Sequence, residues 1–288
     1  MLHLFKLLTN LVTLLSNNLQ LLLALSFFLI PVFFYPQVES KEVKDKILLY
    51  YDDQDNDKTT LTTVSEQKIL LNNKFIQRVY QKYIGRFHVQ VDKNKKKVII
   101  GKYSLFRKLK KKAPFKLHKK QVTRFTREKT GKLKVEPQFF YPALRSVPQF
   151  PEYKVGPGNS WESHSHISQD QREFGIPNPH LIEITPRYLY LKNVTYKGKE
   201  CALISIRFLV NQNNLVRIGK KYRRLWVSRK GLYIARRMGT FTGQYYYSLK
   251  DHYIIHFKVH YNHLLFYENG IVQEIIGDDL GDVERKRK

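Results

Sequence analysis

The segment at residues 139–161, FFYPALRSVPQFPEYKVGPGNSW, decides how the chain is read. Pro142, Pro148, Pro151 and Pro157, with Gly156 and Gly158, interrupt it too often for a helix interior or a central strand, because each proline fixes φ and removes a backbone donor. It reads as a shaped connector. Its aromatic side chains require a core to cover, so the sequence on both sides is expected to pack against it as one body rather than as two independent domains. Phe139, Phe140, Tyr141 and Trp161 are accordingly expected to be buried structural anchors, since prolines bound them and few polar partners lie nearby.

N-terminal to the connector, residues 69–71, 75–83 and 87–91 are rich in branched and aromatic side chains and read as strands. The DKNKKK run at 92–97 reads as a hairpin tip leading into a further strand at 98–106. Charge then takes over: between Arg107 and Lys134 stand 13 Lys and Arg and one acid, Glu128. Two readings of that run stay open. It is a face that binds phosphate groups or anionic lipid, with Lys110, Lys111, Lys112, Lys119 and Lys120 as candidate contacts. Or it is a long solvated loop whose lysines keep a strand edge from pairing. Phe106, Phe115 and Phe125 lack the regular interleaving that base stacking uses.

C-terminal to the connector, ESHSHISQDQREFGIPNPHLI reads as a flexible polar linker. His164, His166 and Asp170 suggest a metal cluster, but no third histidine follows at a supporting spacing, and no metal is assigned. From Pro186 the pattern is a β-meander: 187–194, a turn at 197–199, then 202–210, with 222–228 and 232–236 flanking a turn at 229–231. Asn269-Gly270, between 263–267 and 271–276, is the strongest hairpin signal, because both turn residues accept positive φ. In DHYIIHFKVHYNH, His252, His256 and His260 recur every four residues, as metal ligands on a helix would. The alternation of Tyr253, Ile255, Phe257, Val259 and Tyr261 instead makes this a strand with the histidines and Lys258 on its wet face. Histidines so spaced on a strand stand about 13 Å apart, too far to share an ion. A second basic run, 217–237, holds nine bases and no acid.

The expected fold is mainly β, with antiparallel sheets forming a sandwich or an open barrel-like meander, behind an N-terminal hydrophobic leader helix. Residues 7–38 carry no charge, more than the roughly 20 residues that span a bilayer, and Val38-Glu39-Ser40 suits a signal peptidase. Residues 1–40 are thus expected to be a signal peptide or membrane anchor, with a mature chain beginning near Lys41. Residues 41–66 form an acidic polar segment. Its Asp53, Asp55 and Asp57 match the first ligand positions of a calcium loop, but Lys58 replaces the glycine and Val64 the bidentate carboxylate, so it reads as a solvated loop. Residues 67–284 form the β-rich domain and 285–288 a basic tail. In 288 residues, 51 Lys and Arg against 24 Asp and Glu leave a charge of +27, which favours anionic partners. Lysine-rich coding alone is the rival cause of that excess. The single cysteine, Cys201, excludes an internal disulfide and a Cys-rich zinc site, and its apolar surroundings mark it as a small buried hydrophobe.

Three segments carry a family resemblance: KFIQRVYQKYIGR at 74–86, FFYPALRSVPQFP at 139–151 and PGNSW at 157–161. With FGIPNPHLIEITPRYLYLKNVTYKGKECALISI and the last hairpin, the chain over about 69–283 resembles the N-terminal β-rich region of spirochaete outer-membrane-protein-A-like envelope proteins. In longer relatives that region precedes a peptidoglycan-binding domain, which this sequence lacks, so wall binding does not carry over. The resemblance implies an exported structural or interaction protein of the bacterial cell envelope, periplasmic or outer-membrane-associated. Its expected partners are anionic lipid, an envelope polymer or other envelope proteins. No catalytic residue and no cofactor is assigned, since a Gly-x-Ser-x-Gly elbow, a His-Glu-x-x-His motif and a phosphate loop are all missing from the sequence. An envelope hydrolase is the alternative, and a nucleic-acid-binding protein the third reading, opposed by the leader.

Overall fold

A computed structural model describes residues 46–170, 178–212, 234–267 and 270–287. All belong to the second of two compact units, 1–43 and 44–288. The leader, the 229–231 turn with most of its flanks, and Asn269 lie outside the described residues. Among the described residues fourteen strands are present: β1 (Lys58–Leu71), β2 (Lys74–Val91), β3 (Lys97–Lys108), β4 (Lys116–Arg127), β5 (Leu133–Val135), β6 (Leu144–Arg145) and β7 (Ser160–Glu162). β8 (Ser165–Gln169), β9 (His180–Ile184), β10 (Arg187–Tyr196), β11 (Lys199–Gln212), β12 (Ile234–Ser248), β13 (Tyr253–Tyr267) and β14 (Val272–Lys286) follow. The protein is mainly β and its sheets are antiparallel.

Eleven strands form one sheet in the order β5-β4-β3-β2-β1-β14-β13-β12-β11-β10-β7, and β6-β8-β9 form a second. The large sheet is two meanders joined through the first and last long strands, which pair from Lys58 with Lys286 to Leu71 with Gln273. Period-two alternation gives it a core face and an outer face. On β13, Tyr253, Ile255, Val259 and Tyr261 are buried as the alternation required, while His260 stays exposed. β14 keeps Gly277 and Gly281 opposite Tyr261 and Phe257, whose rings lie where a Cβ would stand. The hairpin after β13 closes through Gly270 at φ 79°.

The core face is covered by the connector, by residues 47–51 and by the small sheet. Ile47 and Val155 exchange two backbone hydrogen bonds of 2.9 and 2.8 Å. Tyr141 stacks on Tyr103 of β3, Phe150 packs against Tyr51 and Tyr247, and Trp161 stacks on Tyr188 of β10. The connector therefore serves both halves of the sheet, as its aromatics demanded. Ile167, Ile182 and Ile184 of the small sheet join the same core as Ile204 and Ile206. Cys201 is fully buried there.

Several expectations need correction. Phe139, Phe140 and Tyr141 are half-buried, and the deepest aromatic of the connector is Phe150, at 2% exposure. The polar linker contains β8, with Ser163, Ser165 and Ser168 buried. Ser165 donates to the Ser146 carbonyl at 2.8 Å, so local pairing satisfies what a flexible segment would leave to water. The boundary at 66/67 falls inside β1, whose threonines and serine suit a strand despite the acidic flank.

Candidate anion-binding face

The 107–134 run is largely strand. Lys110, Lys111 and Lys112 lie in the exposed loop between β3 and β4, where Lys108 donates to the Lys111 carbonyl at 2.6 Å and sits over the Phe115 ring. Register then sets what surrounds them. Core-facing Gly85, Tyr103 and Thr123 alternate with outward Arg86, Lys102 and Val122, which align across β2, β3 and β4 beside Thr60 of β1. The next outward row is Thr62, Ile84, Ser104 and Lys120, and the one after it Val64, Lys82, Phe106 and Leu117. Neighbours in such a grid stand about 5 Å apart across strands and about 7 Å along them.

Two features set this face apart. Arg86 lies directly opposite Lys102, a like-charge pair that costs up to about 1 kcal/mol in a sheet. And its charges are uncompensated: among the described residues Lys82, Arg86, Lys102, Lys116 and Lys120 have no carboxylate partner, whereas Arg124 has Glu136 at 3.3 Å. On the outer face of β13 and β14 the carboxylates have partners instead, Asp278 with His260 at 3.0 Å and Asp282 with both His256 and Lys197. Apolar side chains are interleaved with the cations, Val122 at 58% and Leu117 at 49% exposure.

Of the five lysines expected as contacts, Lys120 stands in this grid, while Lys110, Lys111 and Lys112 lie in the exposed loop that joins β3 to β4. Lys119 lies outside the grid: by regular alternation it stands opposite Leu105, on the side of β4 that carries Gln121 and Thr123, and pairs with Asp170, 2.7 Å away, where Gln121 also points. Arg86, Lys102 and Lys82 escaped sequence reading because they lie outside the charge-dense run. β5 pairs only with Phe125–Arg127, so the Lys116–Arg124 stretch has β3 as its one strand partner among the described residues. The long solvated loop is thus corrected over Lys116–Arg127, which is strand, although its lysines do line a strand edge as that reading had them.

No family model and no curated protein matches the chain.

The acidic loop and the basic tail are also corrected, together. Asp57 is 1% exposed and pairs with Arg285, itself 4% exposed, which also donates to the Asp52 carbonyl. Arg127 holds Asp53, donating from Nε at 2.8 Å, and Arg287 reaches Asp52 at 3.1 Å. Burial works to raise the Asp53 pKa, but the Arg127 charge and hydrogen bonds outweigh it and hold the carboxyl below its usual range. This is a buried clasp rather than a solvated loop and a free tail, because carboxylates so enclosed require paired cations. Of the second basic run, Arg236 and Arg237 are described. Arg237 bonds His263 on the core face rather than contributing to an outer surface. His164 is exposed, His166 sits on β8, and Asp170 is engaged by Lys119.

Proposed function

We propose that this protein is an exported, non-catalytic binding module of the bacterial cell envelope. It docks the outer face of β2, β3 and β4 onto phosphate-bearing surfaces, either anionic lipid headgroups or an anionic envelope polymer. The observation that carries this reading is the uncompensated cation grid of Arg86, Lys102, Lys120 and Lys82 with its interleaved apolar side chains. Like charges held opposite each other cost stability, and a phosphate layer relieves that cost. Residues 7–38 would bring the module to a membrane. We read the two sheets as a partial sandwich that leaves this face uncovered. Outward polar and charged groups such as Arg86, Lys102, His260 and Asp278 occupy positions where a lipid-embedded barrel carries an apolar band, so the contact is peripheral.

The clasp bears on the nucleic-acid reading, since Arg285 and Arg287, half of the terminal RKRK, are engaged by the chain's own acids. The test is co-sedimentation of the 41–288 protein with vesicles of neutral or anionic composition. Binding is expected only to anionic vesicles and should be released by salt, which screens exposed charges over about 8 to 10 Å. Salt-independent binding, or equal binding to neutral vesicles, would refute the docking face. Tight, sequence-selective DNA binding would replace it with the third reading.

A further inference from the structure

The two ends of β2 and β3 differ in chemistry. At one end the acidic loop lies alongside, where the Asn56 N–H donates to the Val89 carbonyl at 3.1 Å, and the polar 92–97 turn follows. At the other end stand the β1–β2 turn and the β3–β4 loop. β2 and β3 run antiparallel with Tyr80 opposite Lys108, so the chain before Tyr80 and the chain after Lys108 extend toward that same end. Neither 70–78 nor 107–120 contains an acid. Two acids of the adjacent outer face, Glu66 on β1 and Glu274 on β14, are held by Arg78 at 3.0 Å and by Asn262 at 2.7 Å.

Local geometry pushes apolar side chains out at both hairpins. Asn72 and Asn73, at φ 46° and 62°, make the tight β1–β2 turn, and Asn72 is tied to β14 by two hydrogen bonds with the Val272 backbone, each 2.8 Å. Just past the turn β2 carries one residue too many: Ile69 faces Gln77 and Leu70 faces Phe75, which leaves Ile76 as a bulge. Lys68 and Leu70 share the outer side of β1, so Phe75 stands on the face that carries Arg78, Lys82 and Arg86. Phe75 is 59% exposed and Ile76 52%. In the β3–β4 loop the Lys108 ammonium lies over the Tyr80 ring at 5.6 Å and the Phe115 ring at 4.5 Å, and the Ala113 N–H donates to the Lys110 carbonyl at 3.0 Å. The loop so braced presents Leu109 at 65% exposure beside Lys110, Lys111 and Lys112.

We infer that this end of the sheet enters an anionic lipid bilayer, with Phe75, Ile76 and Leu109 at the acyl boundary and the neighbouring lysines at headgroup level. The inference rests on the docking face proposed above and names lipid as its occupant. A phosphate-bearing polymer would satisfy the lysines and leave three large apolar side chains in water. A bilayer satisfies both, because its headgroups take the ammonium groups and its acyl layer takes the apolar tips. Lysine stems are long enough to keep Lys74, Lys110, Lys111 and Lys112 in the headgroup layer while their apolar neighbours go deeper.

The experiment reconstitutes the full chain with phosphatidylcholine vesicles or with vesicles that also contain phosphatidylglycerol, each carrying a nitroxide quencher on the headgroup or deep in the acyl chain. A polarity-sensitive fluorophore is attached at one introduced cysteine: Phe75→Cys, Leu109→Cys, Val122→Cys in the cation grid, or Asn94→Cys at the opposite end. Cys201 is fully buried and stays unlabelled, and all four labelled positions are exposed, so Tm should not change. Comparing positions within one chain keeps the readout independent of residues 7–38. With anionic vesicles the acyl-chain nitroxide should quench at 75 and 109, the headgroup nitroxide at 122, and neither at 94. Lys110, Lys111 and Lys112 changed to Gln should lower the ratio of inserted to free tips about fivefold for each lysine. Free polyphosphate, which has no apolar layer, should leave the probes at 75 and 109 in water. Absence of acyl-chain quenching at 75 or at 109 while the 122 probe responds overturns the insertion and leaves the docking face standing. Silence at 122 as well removes both. Equal quenching in neutral vesicles, or an apolar shift of the 75 and 109 probes with polyphosphate, also overturns the assignment to anionic lipid.

Discussion

Trp161 is held by two contacts of different kinds, ring stacking on Tyr188 at 5.3 Å and an indole N–H donated to the Gln149 carbonyl at 2.9 Å. Trp161→Ala removes both and should cost about 3–5 kcal/mol in urea unfolding. Trp161→Phe keeps the stack and should cost nearer 1 kcal/mol in hydrogen bonding. Equal midpoints for all three proteins would show that the connector does not pin the sheet. Asp279 behaves oppositely. Burial pushes its pKa up from 3.8 to about 6, and Asp278 adds to this, against the hydrogen bonds from Ser65 and Tyr261. Between those values the folded state keeps a proton that the unfolded chain has lost, so stability falls as pH rises through that window. Asp279→Asn should therefore stabilise the fold at pH 7 by about 2–3 kcal/mol relative to its effect below about pH 4, read as a larger rise in Tm at the higher pH. A Tm difference that is the same at both pH values would contradict this assignment.

At the scale of elements, β2, β3 and β4 convert a charge count into a surface. The run from Arg107 to Lys134 was legible as basic, but its geometry was not: a strand displays alternate residues, so Lys119 opposite Leu105 and Lys120 opposite Ser104 stand on different faces of β4. Each cation near an anionic membrane contributes about 1 kcal/mol, so Arg86, Lys102 and Lys120 changed together to Gln should weaken vesicle binding by about a hundredfold. Lys119→Gln should change it by about twofold at most, because that ammonium is committed to Asp170. Arg86→Gln alone should also raise stability, by up to about 1 kcal/mol, through relief of the like-charge pair. A larger effect from Lys119 than from the three-site change would place the contact elsewhere.

At the largest scale described, the two meanders are joined through β1 and β14. β1 and β14 are central strands, neighbours in the sheet though more than 200 residues apart in register pairs such as Thr59 with Arg285, and the clasp of Asp57 with Arg285 locks their outer end. Asp57→Asn keeps an acceptor for the Gln54 N–H but leaves the buried Arg285 with only the more distant Asp53 carboxylate, 3.8 Å away, and should cost about 2–3 kcal/mol. Asp57→Asn combined with Arg285→Met should cost less than the sum of the two single changes. Strict additivity in that double-mutant cycle would show the pair uncoupled. Because both partners are enclosed, the coupling should resist salt that releases vesicles.

The sequence by itself determined what depends on neighbours along the chain: period-two alternation in β13, the 92–97 and Gly270 turns, the proline-broken connector, and the burial of Trp161 and Cys201. These follow from backbone chemistry and local hydropathy. Tertiary structure alone decided what depends on partners far apart in sequence. Pairing of β1 with β14 turned an acidic loop and a basic tail into one buried clasp, since opposite charges removed from water require each other. Register between β2, β3 and β4 placed Arg86 beside Lys102, and register between β12 and β13 set Arg237 against His263. No local pattern encodes either meeting, because shifting a strand by one residue exchanges its two faces.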